Sequence, residues 1–242
     1  MPARFVSDTG NEVPAVTAAQ MCEVDRIAIE ETGPNLFQMM ENAGSHLAAQ
    51  ALEALGERSR EALVVVLAGP GGNGGGGICA ARHLANHGVR VALCLSEPGR
   101  LGPVPALQCK IFRETNGIEV AADRIAGEQP DLILDALIGY SLTGPLRGTA
   151  AELIRWANGS APILSLDVPS GLDATTGEAP GEVARARWTM TLALPKTGLL
   201  DERASELVLA DIGIPEGVYR RAGIPYQTPF DRRTRVSLHR SR

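Results

Sequence analysis

Residues 63–84 read LVVVLAGPGGNGGGGICAARHL, an apolar run, a glycine-rich turn and the opening of an amphipathic helix. The run over 63–67 is short, continuous and valine-rich, which suits a strand buried on both faces of a parallel sheet near its centre. Gly69, Gly71, Gly74, Gly75, Gly76 and Gly77 remove side chains where the backbone turns sharply. The helix that follows offers unpaired N–H groups to an anion, for which a phosphate or pyrophosphate is the natural guest. The same glycines also suit plain close packing of helix on strand, and such a pattern alone names no ligand. No lysine followed by Ser or Thr comes after them, so nucleoside triphosphatase chemistry is disfavoured. Asn73 interrupts the usual dinucleotide fingerprint; its amide offers a carbonyl oxygen to a cation or accepts a left-handed backbone.

A length of 242 residues at 44% hydrophobic allows one large α/β domain, with a body over 1–227 and a basic, disordered tail over 228–242 expected. The net charge is −5; five arginines against Asp231 give the tail +4, so the body carries about −9, a poor nucleic-acid surface. Cys22, Cys79, Cys94 and Cys109 have no metal-ligand spacing, and three lie in apolar segments, so buried reduced thiols and a reducing cytoplasm are expected. The first residues include no apolar signal region, and no run approaches a membrane span, so a soluble protein is expected.

Residues 1–14 carry little pattern and read as an extension or frayed terminus. Thr17 and Gln20 form a capping-box pair ahead of a helix with Met21, Val24 and Ala28 on one face, which Gly33 and Pro34 end. A second helix carries the stripe Leu36, Met40, Ala43, Leu47, Ala51, Leu55; its Glu41 and Asn42 point either to solvent or into a site. Beyond the central strand, helix and strand alternate as in a doubly wound sheet: helix 78–86, strand 89–95, helix 104–114, a short strand near 118 and strand 131–137. Helix 149–158 and strands 163–166, 188–193 and 207–210 complete the series. Two strands deliver aspartates, Asp135 and Asp167, to the carboxyl edge, where open α/β sheets bind ligands, although each aspartate also suits a turn cap. Asp167, Ser170 and Asp173 within DVPSGLD converge there with Asp135, the glycine turn and the loop GYSLTGPLRG over 139–148. Lys196 reads equally as a phosphate partner or a solvated loop lysine.

In order, TAAQMCEVDRIAIE, MMENAG, GPGGNGGGG, DALIGYSLTGPLRG, LDVPSGLDATTG, LALPKTG and ADIGIP resemble the NAD(P)H-hydrate epimerases, the YjeF N-terminal-domain proteins, over nearly the whole body. The resemblance implies a three-layer αβα sandwich with a Rossmann-like, mostly parallel sheet and two N-terminal helices. It implies a homodimer that interconverts the R and S hydrates of NADH and NADPH and works beside a separate dehydratase. By motif, Asn73, Asp135 and Ser170 resemble the ligands of a potassium ion, one per subunit. Gly72, Asn73, Gly74, Gly75 and Gly76, with Gly139, Tyr140, Ser141, Leu142, Thr143, Gly144 and Pro145, resemble the loops that hold the hydrated dinucleotide. Asp167 resembles the carboxylate at its nicotinamide end and is the expected proton shuttle, and both Asp167 and Lys196 are counted among the substrate-binding residues.

The family usually reads GPGNNGGDG where this chain has GPGGNGGGG, so Gly72 and Gly76 replace an amide and a carboxylate. That departure keeps a second reading open, a nucleotide-ligand sensor or interaction module of the same fold with impaired catalysis. A dehydrogenase is weaker, because Glu97 alone stands near the position of a ribose-binding acid.

Overall fold

The computed structural model describes residues 4–200 and 205–240. Its strands are β1 (Arg4–Ser7), β2 (Glu12–Pro14), β3 (Leu63–Ala68), β4 (Arg90–Leu95), β5 (Ile118–Glu119), β6 (Leu132–Ala136), β7 (Ile163–Leu166), β8 (Trp188–Leu192), β9 (Glu206–Ala210) and β10 (Arg235–Arg240). They form a single sheet in the order β2-β1-β10-β9-β8-β7-β6-β3-β4-β5. From β9 to β5 every pair is parallel, whereas β10, β1 and β2 add antiparallel strands at the other edge.

All six residues of β3 are buried. Val64, Val66 and Ala68 face one apolar layer, and Leu63, Val65 and Leu67 face the other, as the period of two demands. The first layer holds α1 (Ala18–Ile27), α2 (Leu36–Leu55), α3 (Gly72–Asn86), α4 (Pro103–Phe112) and α6 (Glu216–Arg221); the second holds α5 (Gly148–Ala157). The chain is thus a three-layer αβα sandwich with a mostly parallel, Rossmann-like sheet. Both N-terminal helices start as their local sequence dictates: Thr17 with Gln20 and Asn35 with Gln38 each close a capping box. On α2, Met40, Ala43, Leu47 and Ala51 are buried as the stripe requires.

Two terminal expectations are corrected. Residues 4–14 are not frayed but form the β1–β2 hairpin, and the sheet shows no break at 227: β10, inside the expected disordered tail 228–242, lies between β1 and β9. Its Val236 and Leu238 are buried while Ser237 and His239 alternate outward, a strand period that the surrounding arginines conceal. Arg233 pairs with Asp8 and Arg235 with Glu53, so part of the tail's charge is neutralised by the body.

A third correction concerns the glycine turn. The α-helix begins at Gly72, earlier than the expected 78, so Gly74, Gly75, Gly76 and Gly77 are buried helical residues. A Cβ on Gly77 would stand 2.4 Å from that of Ala136, and one on Gly75 3.3 Å from Val104, so these glycines let α3 lie close on β6 and α4.

Candidate active site

The carboxyl ends of β3, β6, β7 and β8 meet α1 and α2 around a cavity of about 230 Å³, lined among others by Asp25, Met40, Asn73, Tyr140, Asp167 and Lys196. Asp167 follows β7 with φ 70°, a left-handed conformation that a non-glycine residue keeps only where its surroundings impose it. Its N–H donates to the Met190 carbonyl at 2.7 Å, and its side chain, 5% exposed, is ion-paired with Lys196. The Tyr140 N–H donates to the second carboxylate oxygen at 2.9 Å.

Lys196 is 1% exposed, which overturns the solvated-loop reading. Its ammonium donates to Asp167 and, at 2.9 Å, to the Leu192 carbonyl, so its charge is committed to the carboxylate. The N-terminal segment seals it from outside: the Val16 N–H donates to the Pro195 carbonyl at 2.9 Å, and the Thr197 N–H to the Val16 carbonyl at 2.9 Å.

Asp135, 0% exposed, accepts hydrogen bonds from the Ser165 hydroxyl at 2.8 Å, the Ser170 N–H at 2.8 Å and the Ser170 hydroxyl at 2.5 Å. Burial pushes its carboxyl up, against these bonds. Asn73 differs: both polar atoms of its buried amide lack a hydrogen-bond partner. Such an orphaned amide is costly unless something else meets it. An unpartnered carbonyl oxygen, a carboxylate and a hydroxyl are hard oxygen donors of the kind a potassium ion takes.

Of the expected dinucleotide residues, Gly72, Asn73, Gly139, Tyr140 and Ser141 line the cavity along with Asp167 and Lys196. Gly74, Gly75 and Gly76 do not line it and act in packing: a Cβ on Gly76 would sit 2.8 Å from Leu166 Cδ2 and 3.7 Å from both Ala43 Cβ and Met40 Sδ. Thr143, Gly144 and Pro145 are exposed on the loop beyond the cavity, and Leu142 packs on the opposite layer of the sheet. Asp173 caps its own turn, accepting from the Thr175 and Thr176 N–H groups at 2.8 Å each.

Glu41 does not replace the missing loop carboxylate. It accepts from Arg82 at 2.6 Å, His83 at 2.9 Å, Gln108 at 3.2 Å and Cys79 at 3.3 Å, on the side of α2 that faces α3 and α4. Burial pushes its carboxyl up, and these donors overcome that, holding it at about 2. Although Glu41, Cys79 and His83 stand close enough to share an ion, the Arg82 guanidinium already occupies the carboxylate. Asn42 donates to the Ile212 carbonyl at 3.1 Å.

The residue that the sequence reading missed is Asp25, on the apolar face of α1 between Met21 and Ala28. It accepts a 2.5 Å hydrogen bond from the Tyr140 hydroxyl. Burial pushes its carboxyl up, opposed by that bond and by the Lys196 charge, while the Asp167 charge adds to the rise. A carboxylate inside a helix's buried stripe was the available signal. A larger hollow of about 1110 Å³ runs along β9 and β10, lined mainly by their own residues; among the described residues it has no comparable pairing of buried charges.

Residues 36–198 match the family described as YjeF-related protein N-terminus. The chain is 50% identical over 234 residues to the NAD(P)H-hydrate epimerase of Dehalogenimonas lykanthroporepellens, with 95% of each chain covered. It is 34% identical over 223 residues to the enzyme of that name from Rhodopirellula baltica, covering 88% of this chain and 90% of that one. Against the bifunctional NAD(P)H-hydrate repair enzyme Nnr of Salinibacter ruber it is 39% identical over 230 residues, 86% of this chain and 42% of that relative. The crystal structure of yeast ynu0, YNL200c, superimposes with a TM-score of 0.81 at 22% identity, covering 93% of this chain and all of that one, a likeness of fold. The chain belongs to the YjeF-related N-terminal family.

Proposed function

We propose that this chain is an NAD(P)H-hydrate epimerase, an isomerase that interconverts the two hydrates of NADH and NADPH, with its chemistry at Asp167. The observation that carries the reading is the buried Asp167 on the cavity wall, held in a left-handed conformation and paired with a buried lysine. The hydrated ring bears a hydroxyl on the carbon beside its nitrogen. Protonation lets that hydroxyl leave as water, the nitrogen lone pair closes an iminium, and water re-enters from either face. A fixed carboxylate at that carbon stabilises the iminium charge and takes the proton of the entering water.

The cavity has room for the nicotinamide end of the molecule. The pyrophosphate then falls to the N-terminus of α3, where the backbone N–H groups of the first turn bind an anion without help from side chains. This is why Gly72 and Gly76 are compatible with binding. Asn73, Asp135 and Ser170 would hold a potassium ion, which supplies a fixed positive charge beside an anionic substrate. The Asn73 amide, otherwise unpartnered, supports that assignment.

A homodimer is part of the proposal: Leu107 and Ile111, one turn apart on α4, and Ile118 on the edge strand β5 are exposed apolar residues at one end of the sheet. So is a separate dehydratase that consumes one epimer. Among the described residues no helix is long and apolar enough to cross a membrane, and Cys79, Cys94 and Cys109 are buried free thiols, which suits a reducing cytoplasm.

The test is the rate at which a single epimer of hydrated NADH equilibrates with catalytic protein, in potassium chloride and in tetramethylammonium chloride. Equilibration faster than in buffer is expected with potassium, and slower turnover without it. A rate equal to buffer in both salts would overturn the epimerase reading. Equal acceleration in both would overturn the ion.

A further inference from the structure

Epimerisation makes a stereochemical demand that one fixed carboxylate meets only in part. The hydroxyl leaves from one face of the ring, and the other epimer forms only if water enters from the opposite face. Each face then needs a group that gives or takes a proton, and a rigid side chain serves one. The cavity holds a second carboxylate. Asp25 comes from α1, whereas Asp167 comes from the turn after β7, and both line the cavity.

Tyr140 ties the two together. Its N–H donates to Asp167 at 2.9 Å and its hydroxyl to Asp25 at 2.5 Å, so the two carboxylates are held at opposite ends of one tyrosine. Their surroundings differ in kind. Asp167 has an ion-paired lysine, whereas the side-chain partner of Asp25 is a neutral phenol.

We infer that Asp25, oriented by the Tyr140 hydroxyl, is the second proton carrier of this site and serves the ring face that Asp167 does not. The inference rests on the epimerase reading. The upward push of burial on the Asp25 carboxyl supports a proton-donor role. With Asp25 protonated, its proton passes to the departing hydroxyl, the C–O bond breaks, the ring nitrogen's pair forms the C=N bond, and water leaves. On the other face a water oxygen forms the new C–O bond, the C=N pair returns to nitrogen, and the released proton goes to Asp167. Exchange with solvent resets both carboxyls. For the opposite epimer the two residues trade roles by microscopic reversibility.

The experiment follows two rates in water enriched in ¹⁸O, starting from each pure epimer of hydrated NADH: label entry at the ring carbon and inversion. Both are measured against buffer for the unmodified protein, Asp25→Asn and Tyr140→Phe. In the unmodified protein both epimers show label entry and inversion. Asp25→Asn is expected to invert about 10²-fold more slowly. It should keep exchanging the hydroxyl of one epimer, the one that faces Asp167, so exchange outruns inversion for that epimer alone. Tyr140→Phe keeps the ring and its N–H, and should show the same uncoupling in weaker form; it decides the matter if Asp25→Asn does not fold. Parallel loss of exchange and inversion for both epimers in the folded variants, or undiminished inversion in Asp25→Asn, would overturn the inference. If the unmodified protein accelerates neither rate, the epimerase reading itself falls and takes the inference with it.

Discussion

Asp167→Asn is expected to slow epimerisation by about 10²- to 10⁴-fold, the range that a positioned acid or base contributes. Asparagine has nearly the same shape and still accepts the Tyr140 N–H through its carbonyl oxygen, so the cavity keeps its form. What goes is the negative charge that balances the developing iminium and the basic oxygen that takes a proton. The same change has a second consequence. Lys196 is left buried with its ammonium facing a neutral amide, and removing one partner of a buried ion pair costs about 3–5 kcal/mol. The two effects separate in the double variant Asp167→Asn, Lys196→Met, which removes the stranded charge. Its thermal stability should recover most of the loss while its turnover stays low. Recovery of turnover together with stability would show that Asp167 acts only through folding.

Gly74→Ala is expected to destabilise the chain by more than about 4 kcal/mol, beyond the usual range for a point substitution. A Cβ there would sit 1.8 Å from the Gly69 carbonyl oxygen and 2.6 Å from its carbon. Both are backbone atoms of the turn leaving β3, so relief requires α3 to lift away from the strand that centres the sheet. Thermal unfolding reads this as a fall in Tm of about 10 °C or more, or as loss of soluble protein. Gly71→Ala, two residues past the turn's first glycine, meets nothing within 4 Å and should change Tm little. A Gly74→Ala protein as stable as the parent would mean that α3 does not press on the Gly69 carbonyl.

The contrast between those two glycines shows what the sequence could and could not say. Both read as turn formers, because composition reports flexibility and not distance. Local features were legible: both N-terminal helices begin where their helix-start residues fall, and strands ending in Asp135 and Asp167 bring those residues to one edge. Pairings across long separations were not. Lys196 meets Asp167 across 29 positions and so lies buried, although its neighbours read as a loop. β10 finds its partner β1 at the other end of the chain, and neither segment has a strong pattern alone. Asp25 sits in a helical stripe whose neighbours all read as core, and only Tyr140, 115 positions away, gives it a purpose.

The same limit applies to Gly72 and Gly76. As missing side chains they read as lost chemistry. In the structure position 76 faces Leu166, Ala43 and Met40, an apolar corner where a carboxylate would be poorly solvated, while the charged pair stands elsewhere on the cavity wall. The epimerase chemistry proposed for this chain thus resides in the Asp167–Lys196 pair and its Tyr140–Asp25 neighbours, without help from the glycine turn's side chains. The deciding measurement is the equilibration rate of one epimer of hydrated NADH, with potassium present, for the unmodified protein and for Gly76→Asp. The expected result is acceleration over buffer by the unmodified protein, with no gain from the added aspartate. Acceleration that appears only in Gly76→Asp would place the chemistry in the glycine turn and mark the chain as a family fold retained for binding.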